Sequence, residues 1–269
     1  EVDAFTGFKY FNNPIDMMNA SQFMDLRRES YEMDGTQMPA LLSAEQQMLD
    51  SGKSTNWWDE VTGDARLTQS YQISYGSGTE TTKVHVGAGF FDEQGVVNNT
   101  RFTRGSLRFN ATQKFGERVT LSTFNSVSLM SNKGMNTRRS RDSENTNNNA
   151  TDATSILFPA LVGSPLSPVR DENGDYYAMI QNSLGTPRAN PVAFSDLQSI
   201  KEMEPLVNLS MALDIKLIEG MNLRTQISGE IDNYKKNFYN PRAISSQDEV
   251  NGRISDGYAL VRSDVNYNW

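Results

Sequence analysis

The clearest pattern in the chain lies past its midpoint. From Val207 to Leu217 every second residue is apolar (Val207, Leu209, Met211, Leu213, Ile215, Leu217), while Asn208, Ser210, Asp214 and Lys216 fall between them. A period of two places the two sets on opposite faces of an extended strand. Glu219-Gly220 reads as a tight turn, after which Leu223, Ile227 and Ile231 alternate with Arg224, Gln226, Ser228, Glu230 and Asp232. The same alternation recurs elsewhere: Val2, Ala4, Phe8 and Tyr10; Tyr71, Ile73 and Tyr75; Val84, Val86, Ala88 and Phe90; Leu107, Phe109 and Ala111; Val119, Leu121, Val127 and Leu129; and Ala259, Val261, Val265 and Tyr267. Eight strands are predicted, near 2–10, 69–76, 82–91, 101–113, 118–130, 204–218, 221–235 and 257–269. Long loops over 11–68, 131–203 and 236–256 separate some of them.

Three local signals refine this outline. Gly76-Ser77-Gly78 reads as the turn between the second and third strands, and Asp92-Glu93-Gln94-Gly95 as the turn into the fourth. Phe102 falls on the wrong parity, which predicts a bulge near Gly105 or a later strand start. In the first long loop, Asn19 with Gln22 and Ser43 with Gln46 have the spacing of capping boxes, and Gly52 would end the second helix. A break is expected at Asn12-Asn13-Pro14. Residues 131–203 carry no convincing alternation: a polar run at Asn145–Asn149 precedes an apolar patch at Ile156–Val162 and prolines at 165, 168, 187 and 191.

One apolar and one polar face suit a soluble sandwich as well as a membrane barrel. Three features choose the barrel. The sixth and seventh strands alternate over a dozen or so residues, longer than the usual ~5–6 and suited to a tilted bilayer crossing. Connections alternate in length, with a tight turn after the second, fourth and sixth strands and longer loops after the others, the asymmetry of outer-membrane barrels. Aromatic residues collect near strand ends (Tyr71, Tyr75, Phe90, Tyr234, Tyr258, Tyr267, Trp269), as interfacial girdles require.

Composition narrows the chemistry. The 269 residues include no cysteine and one histidine, His85, which excludes thiolate metal sites and disulfides. Net charge is -8 and the densest basic cluster is only Arg138-Arg139-Ser140-Arg141, so no nucleic-acid partner is expected. Nothing approaches the ~18–20 apolar residues of a spanning helix. Both ends fall within strand patterns, so a fragment of a longer protein is expected. No catalytic residues, metal ligands or cofactor are assigned. Gly76-Ser77-Gly78 lacks a phosphate loop's Lys-Ser/Thr, and Asp171, Asn173 and Asp175 read as an acidic turn lacking the distal glutamate of a calcium loop. Candidate lumen-lining residues are Lys83, His85, Arg108, Arg224, Gln226, Glu230 and Arg262. Trp57 and Trp58 are candidates for stacking on a sugar or peptide, or for packing inside their loop.

Four motifs in one order resemble the early barrel of the SusC/RagA family of TonB-dependent outer-membrane transporters: Trp57-Trp58-Asp59-Glu60-Val61, the hairpin from Ser74 to Thr82, Gly89 to Val97, and Phe102 to Asn110. Met18 to Arg27, Pro165 to Tyr176 and Asn190 to Ala193 resemble the family's extracellular-loop segments. The resemblance implies an all-β chain forming about eight N-terminal strands of a large antiparallel transmembrane barrel of 22 strands, with the plug domain and remaining barrel outside this chain. It implies TonB-dependent import of oligosaccharides or peptides across the bacterial outer membrane, with a SusD-like surface lipoprotein as lid and TonB engaged through a region not in this chain. The outer-membrane lipid would surround the barrel. The alternatives are a soluble or surface-anchored β-sandwich that binds glycans, and a passive porin-like channel.

Overall fold

The computed structural model describes residues 1–10, 16–63, 65–134, 153–185, 188–244 and 256–268. The expected break at Asn12-Asn13-Pro14, the cluster at Arg138–Arg141, the Asn145–Asn149 run, Pro187 and Trp269 lie outside the described residues. In chain order the elements are β1 (Val2–Lys9), α1 (Ala20–Met33), α2 (Ser43–Asp50), α3 (Trp57–Thr62), β2 (Arg66–Gly78), β3 (Thr82–Gln94), β4 (Arg101–Phe115), β5 (Val119–Lys133), α4 (Ala153–Val162), β6 (Met179–Ile180), β7 (Arg188–Ala189), α5 (Pro191–Leu197), β8 (Ser199–Ile218), β9 (Met221–Asn240), a 3-10 turn (Arg242–Ile244) and β10 (Asp256–Asn268).

Among the described residues the long strands form one antiparallel sheet in the order β1-β2-β3-β4-β5-β8-β9-β10, and β6 and β7 make a separate two-stranded ribbon. Each long strand pairs with its neighbour in sequence, apart from the excursion between β5 and β8. The sheet is open, with β1 and β10 at its edges. Its register unites the alternating positions. Tyr71 lies opposite Phe90, Val86 opposite Phe109, Leu107 opposite Val127, Val127 opposite Val207, and Val207 opposite Ile231. One largely apolar face results, broken by a few polar positions such as Asn125, and no second sheet covers it among the described residues: Leu209 is 51% exposed and Ile227 57%.

Tight turns sit at one end of the sheet. Gly116 and Gly220 hold positive φ of 63° and 81° in two of them, a conformation that a Cβ disfavours. The third differs from expectation. β2 continues through Gly76, Ser77 and Gly78, which pair with His85, Val84 and Lys83, and the chain reverses at Thr79–Thr81 instead. There the Thr79 hydroxyl accepts from the Thr82 amide at 3.0 Å, so a threonine side chain supplies the turn that the glycines suggest. Likewise Asp92, Glu93 and Gln94 remain in β3, and the reversal falls at residues 95–100.

The expected bulge near Gly105 is absent: β4 pairs without a register shift from Arg101 to Phe115 on both sides. Phe102 instead takes the polar face, where its ring lies 5.9 Å from that of Phe91. α1 has the predicted Asn19/Gln22 capping box. α2 starts one residue from the predicted box: Leu42 is the N-cap, and Glu45, not Gln46, accepts from its amide at 2.8 Å.

The four connections at the other end fold into a cap. Trp57, Trp58 and Val61 of α3, Val97 of the β3–β4 loop, Ile156 and Ala160 of α4, Ile180 of β6, Val192, Ala193 and Phe194 of α5, and Ile244 of the 3-10 turn form a single buried cluster. A second cluster joins Ala20 and Met24 of α1 to Leu166 and Leu184. Among the described residues the main hydrophobic core therefore lies in the loops, because the sheet turns its apolar residues outward.

Candidate functional site

The face opposite the apolar belt is polar. His85 sits beside Asn110, Lys83 beside Thr112, and Arg108 between Gly87 and Ser126, whose small side chains leave the guanidinium exposed. On the far side, Arg224 approaches Asp214 at 3.8 Å, Gln226 donates to Ser210 Oγ at 3.2 Å, Glu230 accepts from Asn266 at 3.5 Å and Arg262 pairs with Asp264 at 2.9 Å. All seven predicted residues share this face, but not one site. β4 and β9 are three strands apart, about 14 Å at the usual spacing. Between them β5 and β8 contribute Ser122, Ser126, Ser128, Asn208 and Ser210. A concavity of ≈ 590 Å³ opens over His85 and Arg108, lined also by Gln72, Arg104 and Ser126 among others. Arg104 lies 5.9 Å from the centre of the Phe91 ring, so cation, aromatic plane and hydroxyls adjoin there.

Higher on the same face, at the loop end of β8 and β9, the side chains become buried. Ile200, Glu202, Glu204, Tyr234, Lys236 and Phe238 are all buried, and the Tyr234 hydroxyl donates to Glu202 at 2.7 Å. This end of β8 and β9 reaches beyond the predicted bounds of 204–218 and 221–235, to Ser199 and Asn240. The cap itself is stitched by side chains. Asn98 donates to the Glu60 carbonyl at 2.7 Å, Asn99 to Asp196 at 2.6 Å, and Ser195 to the Asn98 carbonyl at 2.9 Å, tying the β3–β4 loop to α3 and α5. Glu45 is fully buried and also accepts from the Ser183 amide at 2.9 Å, fastening α2 to the longest loop. Arg170 stacks 3.6 Å above the Tyr176 ring, and the Tyr176 hydroxyl donates to Asp196.

Both tryptophans belong to this core. Trp57 is 1% exposed, with its indole N–H donated to the Ser164 carbonyl at 2.8 Å, and Trp58 is 6% exposed. Of the two roles open to them, packing inside the loop is what the structure shows. Asp171 is an acidic turn: its Oδ1 accepts from the Asn173 and Asp175 amides, both at 2.9 Å. Among the described residues no group of three or more candidate side chains gathers as a metal site. No described helix is long and apolar enough to cross a membrane, which says nothing of strands.

No protein-family model matches the chain. A curated protein, TonB-dependent receptor P3 of Formosa agariphila, is 20% identical over 273 residues, covering 100% of this chain and 24% of that receptor. The solved structure of the RagAB peptide transporter superposes with a TM-score of 0.69 at 18% identity, over 99% of this chain and 31% of the transporter chain. The RagAB peptide importer in its closed-closed state gives 0.67 at 17% identity. The chain has the fold of part of a SusC/RagA-like, TonB-dependent receptor barrel. It spans about a quarter of the curated receptor and under a third of the solved transporter chains. The relatives bear the names of a receptor and of transporters, not of enzymes.

The cap has a titratable fastening. Burial, and after it the hydrogen bond to Asp196, raises the Tyr176 phenol above its usual 10.0, against the lowering effect of Arg170. A raised pKa means that the folded cap favours the protonated phenol. The stabilisation is complete below pH 10.0, the unfolded value, and is lost as pH rises through the folded one. In the full-length protein, protease resistance of the cap is expected to fall together with the appearance of the tyrosinate absorbance of Tyr176. In Tyr176→Phe the cap should show no such alkaline step.

Proposed function

We propose that the whole protein, of which this chain forms part of the barrel wall and extracellular cap, imports oligosaccharides or peptides across the bacterial outer membrane by TonB-dependent transport. The observation that carries this reading is the two-faced sheet. Eight strands share one largely apolar face and one polar face, with tight turns at one end and folded loops at the other. Only a closed barrel lets such a sheet meet lipid on one side and water on the other without open edges. The rest of the barrel would come from chain beyond these residues, and a plug would fill the lumen.

In this reading the lumen wall offers hydroxyls, amides and spaced charges, which let a hydrated sugar or peptide exchange hydrogen bonds as it passes. His85, Lys83, Arg108 and Arg104 line the wall on one side, and Arg224, Gln226, Glu230 and Arg262 on the other. A SusD-like lipoprotein would close over the cap, and TonB would act on a segment outside this chain. Trp57 and Trp58 serve by holding the cap rigid. This chain contributes binding and conduction, with no catalytic step.

Uptake assays test this directly. Deleting the gene is expected to abolish uptake of one class of labelled oligomer, sugar or peptide, and collapsing the proton gradient in the parent strain should do the same. Uptake that survives loss of the gradient would indicate a passive channel instead. A protein that washes from the membrane with salt or alkali would be a surface-binding module.

A further inference from the structure

At the loop end of the sheet, the apolar face ends in a row of cations. Arg101 of β4 lies directly opposite Lys133 of β5, and Lys133 directly opposite Lys201 of β8. On β9, Lys235 is opposite Met203, two residues along β8 from Lys201, and Asn237 is opposite Lys201 itself. These positions belong to the face of Leu129, Val207 and Ile231, not to the polar wall. Glu202 and Lys236, next in sequence, point the other way and are buried.

Like charges directly across a strand pair repel, so three in line need a reason. Arg101 has one: its guanidinium donates to Asp92, at 2.7 Å from Nε. Lys133, Lys201 and Lys235 are exposed and have no carboxylate partner among the described residues. Asp92 is the carboxylate facing the row on this side, and Arg101 already occupies it. Three ammonium groups thus present an uncompensated positive edge where the apolar belt stops.

Below Arg101 and Lys133, at the end of the row toward β3, the belt is hollowed. Gly105 has nothing within 4 Å of where a Cβ would stand, and with Ala88 it floors a groove of ≈ 550 Å³. Tyr71, Phe90, Leu107 and Leu129 wall it, and its lining is almost wholly apolar. Gly105 is four residues down β4 from Arg101, about 13 Å at the rise of a strand. A cationic edge above an apolar groove fits an amphiphile with an anionic head and acyl chains.

We propose that Lys133, Lys201 and Lys235 bind the phosphate groups of a lipid in the leaflet on the loop side of the membrane, with an acyl chain seated in the groove at Gly105. Phosphate between the lysines removes their mutual repulsion, and the groove adds chain contact that a smooth wall would not give. This inference rests on the barrel reading above, and its test separates the two.

The probe is the phosphorylated glycolipid lipid A, compared with its dephosphorylated form, presented in mixed micelles to the full-length protein. Retention measured by native mass spectrometry should favour the phosphorylated form, and the triple variant K133Q/K201Q/K235Q should bind it at least about ten-fold more weakly. Lys-to-Arg replacement at the same three positions should keep the preference. Inorganic phosphate at the same concentration should not compete, because it lacks the chain. Equal retention of the two lipids by the unmodified protein overturns the proposal, even if the triple variant fails to assemble, and so does full competition by inorganic phosphate. A protein that retains neither lipid and enters no micelle refutes the barrel reading itself.

Discussion

Leu209→Arg in the full-length protein is expected to destabilise the folded barrel by about 2–4 kcal/mol and to deplete it from the outer-membrane fraction. Ser210→Arg, one residue further along β8, should leave membrane assembly near the parent level. Leu209 stands half-exposed on the apolar face between Asn125 and Gly229. Its guanidinium replacement would have to leave water for hydrocarbon. Ser210 stands on the other face between Phe124 and Ser228, where a guanidinium meets the lumen. The measurement is the yield of heat-modifiable folded protein in purified outer membranes. Equal behaviour of the two variants would mean that the faces are not lipid and water, and the barrel reading would fall.

Trp57→Ala is expected to cost the cap about 3–5 kcal/mol while sparing the sheet. The indole is nearly sealed, touches α4 and α5 partners in one cluster, and donates to the Ser164 carbonyl, which would be left without that bond. A Cβ added at Gly163 would lie 2.7 Å from Trp57 Cδ1, so the neighbouring backbone already abuts the ring and has no side chain with which to fill the void. Limited proteolysis of intact cells reads the outcome: cleavage within the cap should appear in the variant, with the barrel still migrating as folded. Unchanged cap protection would show that the four connections hold together without this residue.

The sheet is legible in the sequence because period-two alternation reports directly on a surface with two different environments. Parity alone puts Val207, Leu209, Met211, Leu213 and Ile215 on one face, and the register across eight strands agrees with it. Phe102 misleads because parity assumes that every aromatic seeks the apolar side; beside Phe91 it finds a partner on the polar one. Gly76-Ser77-Gly78 misleads because glycine permits a turn without requiring it, and Thr79 supplies a better one. The ends of β8 and β9 are hidden since Glu202, Glu204 and Lys236 look solvent-bound, whereas in the fold all three are buried.

The cap is the least legible part. Its core draws one to three residues from each of several segments that span nearly two hundred positions, and no local period records such a meeting. Asn190-Pro191 is a readable helix start, with Asn190 Oδ1 accepting from the Val192 and Ala193 amides at 3.1 and 3.2 Å. The candidate polar residues can be assigned a face by parity, yet how far apart they stand follows from strand order, which alternation does not encode.

The union of Trp57, Val97, Phe194 and Ile244 in one cluster also makes the crown the most non-local part of the chain. Each tight-turn hairpin (β2–β3, β4–β5, β8–β9) closes only a few residues, at small entropic cost. The cluster joins residue 57 to residue 244, so it needs chain from both sides of the strands between them. Whichever end is laid down first, the crown is complete only when both of its far ends are present, and a hairpin of the wall can pair without it.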